Sequence, residues 1–528
     1  MDAVKHRNAH LAGILRRAGA QDHRARCGGN LVHSGTGTKT TYSYAGLFGE
    51  LYGGLSNLTL EGKIDVTGSV NTGVSDWICM NAGGFVGTLY ISNDSTENLT
   101  SAVDINLEGT DYARVGGLFG SVETTKVAMV NADIGACSYS GIITASTLSW
   151  EYVGGLIGEL GFANLGGDMS QCVLMDSHAS GSLSASGGQE ADVGGVIGEA
   201  IRGNISGCTA ECDVLASGDS GMVGAGGLIG DCRVSADNCS ALGDVSAVCT
   251  QASDISYHPS AGGLIGVLQY NGNATTCFAS GAVSAQGGYT SFAGGFVGLQ
   301  HNTNTLNNAS KSVGSDVSSC YVTGAASASG ALMQNNAGGF VGQMEVGAIG
   351  SCWASGSATC SGDPGWFNAA GGFAGSAYEG SAITDSYCAG PVAVQIGDAS
   401  IGGFVGRLAG NLTNCYSMSK VTLAGTTNVQ QDATGLVGTI RSTPVVRHCA
   451  DMCDIGRGYP MFVDTANTDN PTFTQITNAQ LSKQATYTGW DFTNTWMMPA
   501  SGSAYRLPIL RGVNEKAQSA MPMPAHLK

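Results

Sequence analysis

The chain has 528 residues and a formal net charge of −17, and its composition excludes several classes of protein. Hydrophobic residues make up 43% and charged residues 12%, whereas a disordered chain combines low hydrophobicity with high charge. The acidic balance repels phosphate backbones, so we expect no nucleic-acid partner. No apolar run approaches the roughly 20 residues that cross a bilayer, so we expect no membrane insertion.

The start of the chain is basic, unlike the rest. Its first 35 residues contain six cations and two carboxylates: Lys5, Arg7, Arg16, Arg17, Arg24 and Arg26 against Asp2 and Asp22. This stretch has neither a long apolar core nor a clean cleavage site, so it does not match a secretory signal peptide. We predict that residues 1–41 are a basic leader that is either disordered or a misassigned start.

A glycine-framed apolar string recurs along most of the chain. It reads NAGGFVG at 81–87 and NNAGGFVG at 335–342, with strings such as DVGGVIG and SAGGLIG between them. Anchoring each copy on the glycine before the apolar pair gives twelve copies: Gly46, Gly84, Gly117, Gly155, Gly195, Gly227, Gly263, Gly295, Gly339, Gly372, Gly403 and Gly435. The steps between anchors have a floor near 32 residues with insertions on top. Such spacing is typical of a solenoid, whose coils have a fixed minimum length.

Each copy continues into alternating small or apolar and polar residues, as in CFASGAVSA at 277–285. Period-two alternation predicts half-buried strands, and the glycine within it predicts a corner. Adjacent bulky residues cannot both point inward on a regular strand, so one of each apolar pair is expected to cover a corner or the outer face. No helical period survives in any copy.

These patterns predict an all-β fold, a parallel β-helix (β-solenoid) of about twelve repeats over residues 42–462. A C-terminal capping segment is expected over 463–514, followed by a disordered tail over 515–528. We assign Trp490 and Trp496 to the cap, because an open solenoid end exposes apolar core and unpaired strand edges.

The chain has 17 cysteines, and eight of them share one phase of the repeat: Cys172, Cys208, Cys239, Cys277, Cys320, Cys352, Cys415 and Cys449. In-phase residues of a solenoid stack, so we expect a column of small buried thiols. Disulfides between neighbouring coils and metal binding stay open as alternatives, although parallel side chains make disulfides awkward and no CxxC pair is present.

Four aromatic residues directly follow cysteines of this column: Phe278, Tyr321, Trp353 and Tyr416. If the cysteines point inward, these rings point outward and form a contact row for sugar rings or for a flat partner surface. The alternative is a row that fills a corner beneath an insertion loop.

Three short strings resemble catalytic or phosphate-binding motifs but lack essential residues. HRNAH (His6 to His10) has zinc-ligand spacing without the intervening Glu, and GTGTKT at 35–40 has no glycine directly before Lys39. GDSG at 218–221 has no His in a matching context. We therefore assign no catalytic, cofactor-binding or metal-binding residues. The 40 Asp and Glu residues leave open a carboxylate pair that cleaves glycans.

The recurring strings, together with the alternating halves such as CFASGAVSA, resemble the GLUG-motif repeat family over roughly residues 45–510. The stretch at 477–510 is similar to the piece that commonly follows such repeats. The resemblance implies a bacterial secreted or cell-surface protein, often adhesin-like, whose repeats accompany a metallopeptidase in some members. It carries over no catalytic residues.

We therefore expect a non-catalytic extracellular or cell-surface repeat protein that acts as an adhesin, a glycan- or protein-binding surface, or a spacer. A host or cell-surface glycan or protein is the expected partner, and no cofactor is expected. The alternatives are a carbohydrate-active β-helix enzyme and the repeat arm of a larger surface metallopeptidase whose catalytic domain is absent. A carboxylate pair in a groove on one face would favour the enzyme.

Overall fold

The computed structural model describes residues 10–12, 15–17, 25–26, 31–33, 40–67, 77–91, 93–124, 130–161, 169, 172–251, 258–301, 315–362, 367–395, 399–423, 432–455, 461–464 and 472–528. The protein is nearly all-β, with 60% strand and 4% helix, and its stacked parallel coils form a β-solenoid of about ten turns. The predicted fold class is confirmed. The chain divides into an N-terminal unit, residues 1–267, and a C-terminal unit, residues 268–528.

Each coil begins at a bend formed by an anchor glycine and the apolar residue after it, and all twelve anchors lie at such a bend. The first strand follows directly. In the N-terminal unit the first strands are Phe48–Tyr52, Val86–Ile91, Phe119–Thr124, Ile157–Leu160, Ile197–Ala200 and Ile229–Cys232. In the C-terminal unit they are Val297–His301, Val341–Met344, Ala374–Ala377, Val405–Leu408 and Val437–Ile440, and Ile265–Gln269 crosses the unit boundary.

A short second strand follows in most coils. These strands are Asp133–Gly135, Val173–Met175, Asn204–Ser206 and Ser235–Asp237 in the N-terminal unit. In the C-terminal unit they are Asn273–Thr275, Asp316–Ser318, Gly347–Gly350, Ser381–Thr384, Asn411–Thr413 and Val446–Arg447. The second strand ends at a corner residue in the left-handed region, such as Gly207 with φ 66° or Asn238 with φ 52°. Glycine and Asn tolerate this conformation, which explains the polar stretch in each copy.

The third strand carries the alternating pattern that the sequence shows. In the N-terminal unit the third strands are Ser56–Thr67, Thr96–Gly116, Ser138–Gly154, His178–Gly187, Thr209–Gly218, and the pair Ser240–Ala241 and Val245–Cys249. In the C-terminal unit a break divides them into Phe278–Ala279 and Val283–Gly287, Tyr321–Val322 and Ala326–Ser329, Trp353–Ala354 and Ala358–Ser361, Tyr387–Cys388 and Val392–Val394, and Tyr416–Ser417 and Val421–Leu423. The last coil has Cys449–Asp451 at this position.

A fourth strand leads to the next anchor glycine. The separate fourth strands are Thr40–Ala45, Trp77–Gly83, Glu190–Gly194, Met222–Gly226 and His258–Gly262 in the N-terminal unit, and Thr290–Gly294, Gln334–Gly338, Asn368–Gly371, Ala399–Gly402 and Asp432–Thr434 in the C-terminal unit. In Thr96–Gly116 and Ser138–Gly154 the third and fourth strands are continuous. Neighbouring coils pair in parallel register, as in Ile143 opposite Leu183 and Leu183 opposite Val214.

The glycine-framed string brings the fourth strand of a coil into backbone contact with the first strand that follows the bend. A Cβ on Gly194 would lie 1.9 Å from the carbonyl oxygen of Ile197 across the bend, and one on Gly198 would lie 2.6 Å from the backbone nitrogen of Val153 on the fourth strand of the preceding coil. Any larger residue would push the two strands apart. The string is therefore repeated because each coil needs this close approach.

In the ten copies from Gly84 to Gly403 both residues of the apolar pair are buried, so the expectation that one of them covers the outside of a corner is wrong there. Val196 and Ile197 are both 0% exposed, as are Phe340 and Val341. The bend comprises the anchor glycine and the first residue of the pair, and the second residue begins the first strand. The two adjacent side chains can therefore point in different directions and both be buried. The rings of Phe296 and Phe340 stack with their centroids 4.7 Å apart.

Antiparallel strands cover the described ends of the coils. Met461–Asp464 pairs with Cys449–Asp451 and then with Thr472–Gln475. Parts of the basic leader are strands rather than disordered chain: His10–Ala12, Leu15–Arg17, Ala25–Arg26 and Leu31–His33 pair with strands of the first coil. These pairings satisfy strand edges that would otherwise be open.

The remaining elements belong to the C-terminal segment, residues 476–528. They are helix α1 (Asn478–Leu481), a 3₁₀ turn (Gln484–Thr486), strands Trp496–Met497 and Ile509–Leu510, helix α2 (Glu515–Ala520) and a second 3₁₀ turn (Ala525–Leu527). The expectation of a disordered tail over 515–528 is wrong, because Leu527 and Gln518 are 0% exposed. Their burial ties the tail to the fold.

Candidate functional site

The column of cysteines is a hydrogen-bonded ladder directly after the left-handed corner residue. Each side chain donates to the carbonyl two residues earlier, as in Cys277 Sγ to Thr275 O at 3.1 Å and Ser386 Oγ to Thr384 O at 2.7 Å. The same atoms accept backbone N–H groups of the preceding coil: Cys320 Sγ accepts from Cys277 at 3.3 Å. From Cys137 onward the position therefore contains a small side chain that both donates and accepts, a property that Cys and Ser share.

The structure corrects the membership of this ladder. Cys172 does not belong to it, because Ser177 follows the corner residue Asp176 in that coil. Cys137 does belong, since it follows Ala136 at φ 51° and its backbone N–H donates to Ser177 Oγ at 3.1 Å. The spacing from the anchor glycine misled the sequence analysis, because insertions before the corner vary in length.

The ladder cysteines are buried thiols that fit a structural role. All 16 cysteines of the described residues are buried thiols. Burial raises the pKa of Cys320 well above its ordinary value, which keeps the thiol neutral and unreactive. Among the described residues no group of three or more His, Cys, Asp or Glu is arranged to hold a metal ion.

The residues after the ladder form a continuous stack of rings in the C-terminal unit. Phe278 and Tyr321 stack with centroids 5.1 Å apart, Tyr321 and Trp353 at 4.9 Å, Trp353 and Tyr387 at 6.1 Å, and Tyr387 and Tyr416 at 4.7 Å. The outward row that the sequence predicts therefore exists. Tyr387 was missed because it follows Ser386 rather than a cysteine.

Most of this aromatic row is not open to solvent, so the expected contact row is wrong for two of its four residues. Trp353 is 1% and Tyr416 0% exposed, whereas Phe278 and Tyr321 are half-buried. The C-terminal segment covers the row: Trp353 Nε1 donates to Val513 O at 3.2 Å, and the hydroxyl groups of Tyr416 and Tyr505 are 2.7 Å apart. An open row of five rings would expose a large apolar area, and burying it is favourable.

Trp490 and Trp496, which the sequence assigns to the cap, pack beside Tyr416 with ring centroids 6.1 and 6.0 Å from its own. Trp490 Nε1 also donates to His448 O of the last coil at 2.9 Å. The antiparallel strands Met461–Asp464 and Thr472–Gln475 cover the end of that coil. What is left for contact is the edge of the row, where Asn514 Nδ2 donates to the Tyr321 hydroxyl at 2.8 Å.

A second cluster, which the sequence analysis missed, is buried in the N-terminal unit where first and fourth strands meet. Arg114 and Glu159 form an ion pair and are 2% and 1% exposed. Tyr112 lies beneath the guanidinium group, 4.5 Å from ring centroid to Cζ, and its hydroxyl donates to Glu159 Oε2 at 3.4 Å. The signal that could have revealed the cluster is an acidic residue directly after the repeated string, in GLIGE, GVIGE and GLIGD.

Four more carboxyl groups extend this cluster. The Tyr152 hydroxyl donates to Glu190 Oε1 at 3.2 Å. Arg233 Nη2 lies 2.8 Å from Glu199 Oε1 and 3.3 Å from Asp231 Oδ2. Asp192 is 0% exposed, and Asp231 is 1% exposed. The cluster thus gathers more acid than base.

Burial raises the pKa values of several of these carboxyl groups. The pKa of Asp192 is raised well above its ordinary value, first by burial and then by the negative charges of Glu190 and Asp231. The pKa of Glu199 is raised by burial and by Glu159. Glu151, which lies apart from the cluster, has its pKa raised to about 8 by burial, although the Ser186 N–H donates to it at 3.0 Å. Groups tuned in this way can act as general acids in a cleft, but these are sealed in the fold.

The other strings that resemble motifs have structural roles or lie outside the described residues. In GDSG, Ser220 Oγ donates to Gly188 O at 2.8 Å and Gly221 has φ 89°, so the string forms a turn between third and fourth strands. His6 and the stretch at 35–39 lie outside the described residues. No helix of the described part is long and apolar enough to cross a membrane.

Comparison with known proteins adds a weak likeness to a solved structure. No protein-family model matches the chain, and no curated protein matches it. A solved structure from Bacteroides ovatus described as a "putative immunoglobulin A1 protease" is similar with a TM-score of 0.35 and 17% identity, over 64% of this chain and 91% of that one. At this level the likeness supports no conclusion about activity.

Proposed function

We propose that this protein is a non-catalytic extracellular or cell-surface repeat protein that binds a glycan or a protein through the outer faces of its coils. The observation that supports this proposal is the burial of the groups whose pKa is tuned. Asp192 and Glu199 are 0% and 4% exposed, so a substrate cannot reach them. A glycan-cleaving pair would need two carboxyl groups at the wall of a groove.

The exposed apolar residues favour a binding role over a catalytic one. In the N-terminal unit, Ile142, Leu148 and Leu215 point outward from the third strands and are 54%, 50% and 40% exposed. In the C-terminal unit, the half-buried rings of Phe278 and Tyr321 offer a flat apolar edge of the kind on which sugar rings stack. The resemblance of the repeats to the GLUG-motif family supports an adhesin-like role at the cell surface.

A glycan-array screen of the purified full chain tests this proposal, with release of reducing ends assayed on every glycan that binds. Binding without turnover is the expected result. The variant Phe278→Ala should weaken binding to sugars that stack on the row, and the control Phe367→Ala removes a ring that is 40% exposed elsewhere in the same unit. Turnover of a bound glycan would contradict the proposal and support a carbohydrate-active enzyme.

A further inference from the structure

The carboxyl cluster of the N-terminal unit has a neutral counterpart in the repeat itself. Aligned on the anchor glycines, Glu190, Asp192 and Glu199 occupy the positions of Gln334, Asn336 and Gln343 in the C-terminal unit. Each acid is therefore replaced by the amide of the same length. The two sets share their strand positions, on fourth strand Glu190–Gly194 or Gln334–Gly338 and on first strand Ile197–Ala200 or Val341–Met344.

The amide set shows what these positions require. Gln334 Nε2 donates to Asn336 Oδ1 at 2.9 Å, and Asn336 Nδ2 donates to Gln343 Oε1 at 2.7 Å. All three side chains are buried, at 8%, 0% and 6% exposure. Two N–H donors and two amide oxygens thus link the three side chains. Ionised carboxylates have no donor, so the acidic set can form an equivalent chain only if it carries protons.

The charge balance of the cluster also favours bound protons. Five carboxyl groups face one another, and two guanidinium groups accompany them. Arg114 pairs with Glu159, and Arg233 contacts Glu199 and Asp231. Tyr112 and Tyr152 are further titratable groups beside these carboxyl groups, and both act as hydroxyl donors. Cys79 Sγ lies 3.2 Å from Arg114 Nη1. Full ionisation would leave an excess of three negative charges in this largely buried cluster, which is costly.

We propose that the N-terminal unit contains a buried proton-binding site in which Glu190, Asp192 and Glu199 share two protons at neutral pH, reproducing the two donors of the amide chain. The unfolded chain would release these protons at pH 7, because exposed carboxyl groups titrate near 4. Stability contributed by the site is therefore present in acid. It is lost as the pH rises through the raised pKa values of the native set.

The direct test is infrared spectroscopy of the full chain in D₂O at pH 7, where protonated carboxyl groups absorb apart from carboxylates. The triple variant Glu190→Gln, Asp192→Asn, Glu199→Gln copies the amide chain and should fold. It is expected to lose a protonated-carboxyl signal equivalent to about two groups, while the signal of Glu151 remains. A matched variant, Glu108→Gln, Glu211→Gln, Asp213→Asn, removes three exposed carboxyl groups of the same unit and should leave that signal unchanged.

Proton release on unfolding gives an independent readout. Unfolding the wild-type chain at pH 7 in weak buffer should release about two more protons than unfolding the triple variant, and the variant should show a flatter dependence of stability on pH. An identical signal and identical release in the two proteins would overturn the proposal. If the triple variant fails to fold, the single variant Asp192→Asn, which should lose about one protonated carboxyl group, decides the question by the same two measurements.

Discussion

The two units of this protein use one backbone plan for different buried chemistry. Residues 42–267 contain 25 Asp and Glu against 5 Lys and Arg, a net charge of −20, whereas residues 268–528 contain 13 against 11, a net charge of −2. Three polar positions contain Glu190, Asp192 and Glu199 in one coil of the N-terminal unit and Gln334, Asn336 and Gln343 in one coil of the C-terminal unit. The glycines and the ladder therefore specify the coil, while the polar positions vary in chemistry between coils.

The residue directly after each ladder residue also differs between the two units. In the N-terminal unit it is polar, with His178, Thr209 and Ser240, whereas in the C-terminal unit it is aromatic and covered by the C-terminal segment. The stability of the N-terminal unit is therefore predicted to depend on pH, and that of the C-terminal unit on the packing of its aromatic rings.

The largest expected effect comes from removing a ring of the aromatic row. Tyr387→Ala deletes a side chain that is 0% exposed, stacks on both neighbours and donates to Gln518 Oε1 at 2.9 Å. It should lower the free energy of unfolding by about 3 to 5 kcal/mol. The variant at the same position in the N-terminal unit, Thr209→Ala, should cost about 0.5 kcal/mol. Chemical denaturation measures both, and equal losses would refute the proposed division of roles.

Exchanging an amide for an acid should make the stability of the C-terminal unit depend on pH, as is predicted for the N-terminal unit. Gln343→Glu places a carboxyl group in a position that is 6% exposed, where Gln343 accepts from Asn336 and donates to Glu345. We expect a loss of about 3 kcal/mol at pH 8, recovered on acidification as the new group takes up a proton. Denaturation at pH 5 and pH 8 measures the effect, and a loss that does not depend on pH would contradict this explanation.

The converse change should stabilise the N-terminal unit. Glu151 is buried and its pKa is raised to about 8, so its ionised form is disfavoured in the native state. Because the native pKa lies above the unfolded one, the group lowers stability as the pH rises from about 4.5 toward 8. Glu151→Gln keeps an acceptor for Ser186 N–H and should raise the free energy of unfolding by about 2 kcal/mol at pH 8.

At pH 4.5 the Glu151→Gln variant and the wild type should unfold with nearly the same free energy, because the wild-type carboxyl group is then protonated in the native state. The exposed change Glu211→Gln serves as a control that should have little effect at either pH. A gain that persists in acid would show that removal of charge is not the cause.

The smallest expected effect concerns the ladder, which both units share. Cys320 donates to Ser318 O at 3.1 Å and accepts from the Cys277 N–H. Cys320→Ser retains both bonds, as Ser386 does in another coil, and should cost less than about 0.5 kcal/mol. Cys320→Ala leaves the buried Cys277 N–H without this acceptor and should cost about 1 to 2 kcal/mol. If Ala were tolerated better than Ser, packing rather than hydrogen bonding would explain the ladder.

Much of the fold could be predicted from the sequence because it is periodic. Every anchor glycine found in the sequence lies at a bend, and seven of the eight cysteines assigned to the column belong to it. Cys137 and Ser177 were missed because the corner, rather than the distance from the glycine, determines the phase. Only the coordinates show which residue adopts the left-handed conformation.

The site was harder to predict because it depends on packing between distant segments. Nothing in the string around Trp353 shows that Val513 lies above it, 160 residues later. The acids after the repeated string were visible in the sequence, but their burial depends on how closely first and fourth strands approach. Conversely, Gln334, Asn336 and Gln343 reveal their relation to the acids only once the repeats are aligned on a known backbone.

We propose that the acids of the N-terminal unit are buried structural groups rather than an open site. Hydrogen–deuterium exchange of the full chain at pH 5 and pH 8, with rates corrected for intrinsic exchange, tests this proposal most directly. The account predicts that protection of residues 190–200 and 222–232 is several-fold higher at pH 5 than at pH 8. Protection of residues 334–344 should stay the same. Equal responses in the two units, or greater protection of residues 190–200 at pH 8, would contradict it.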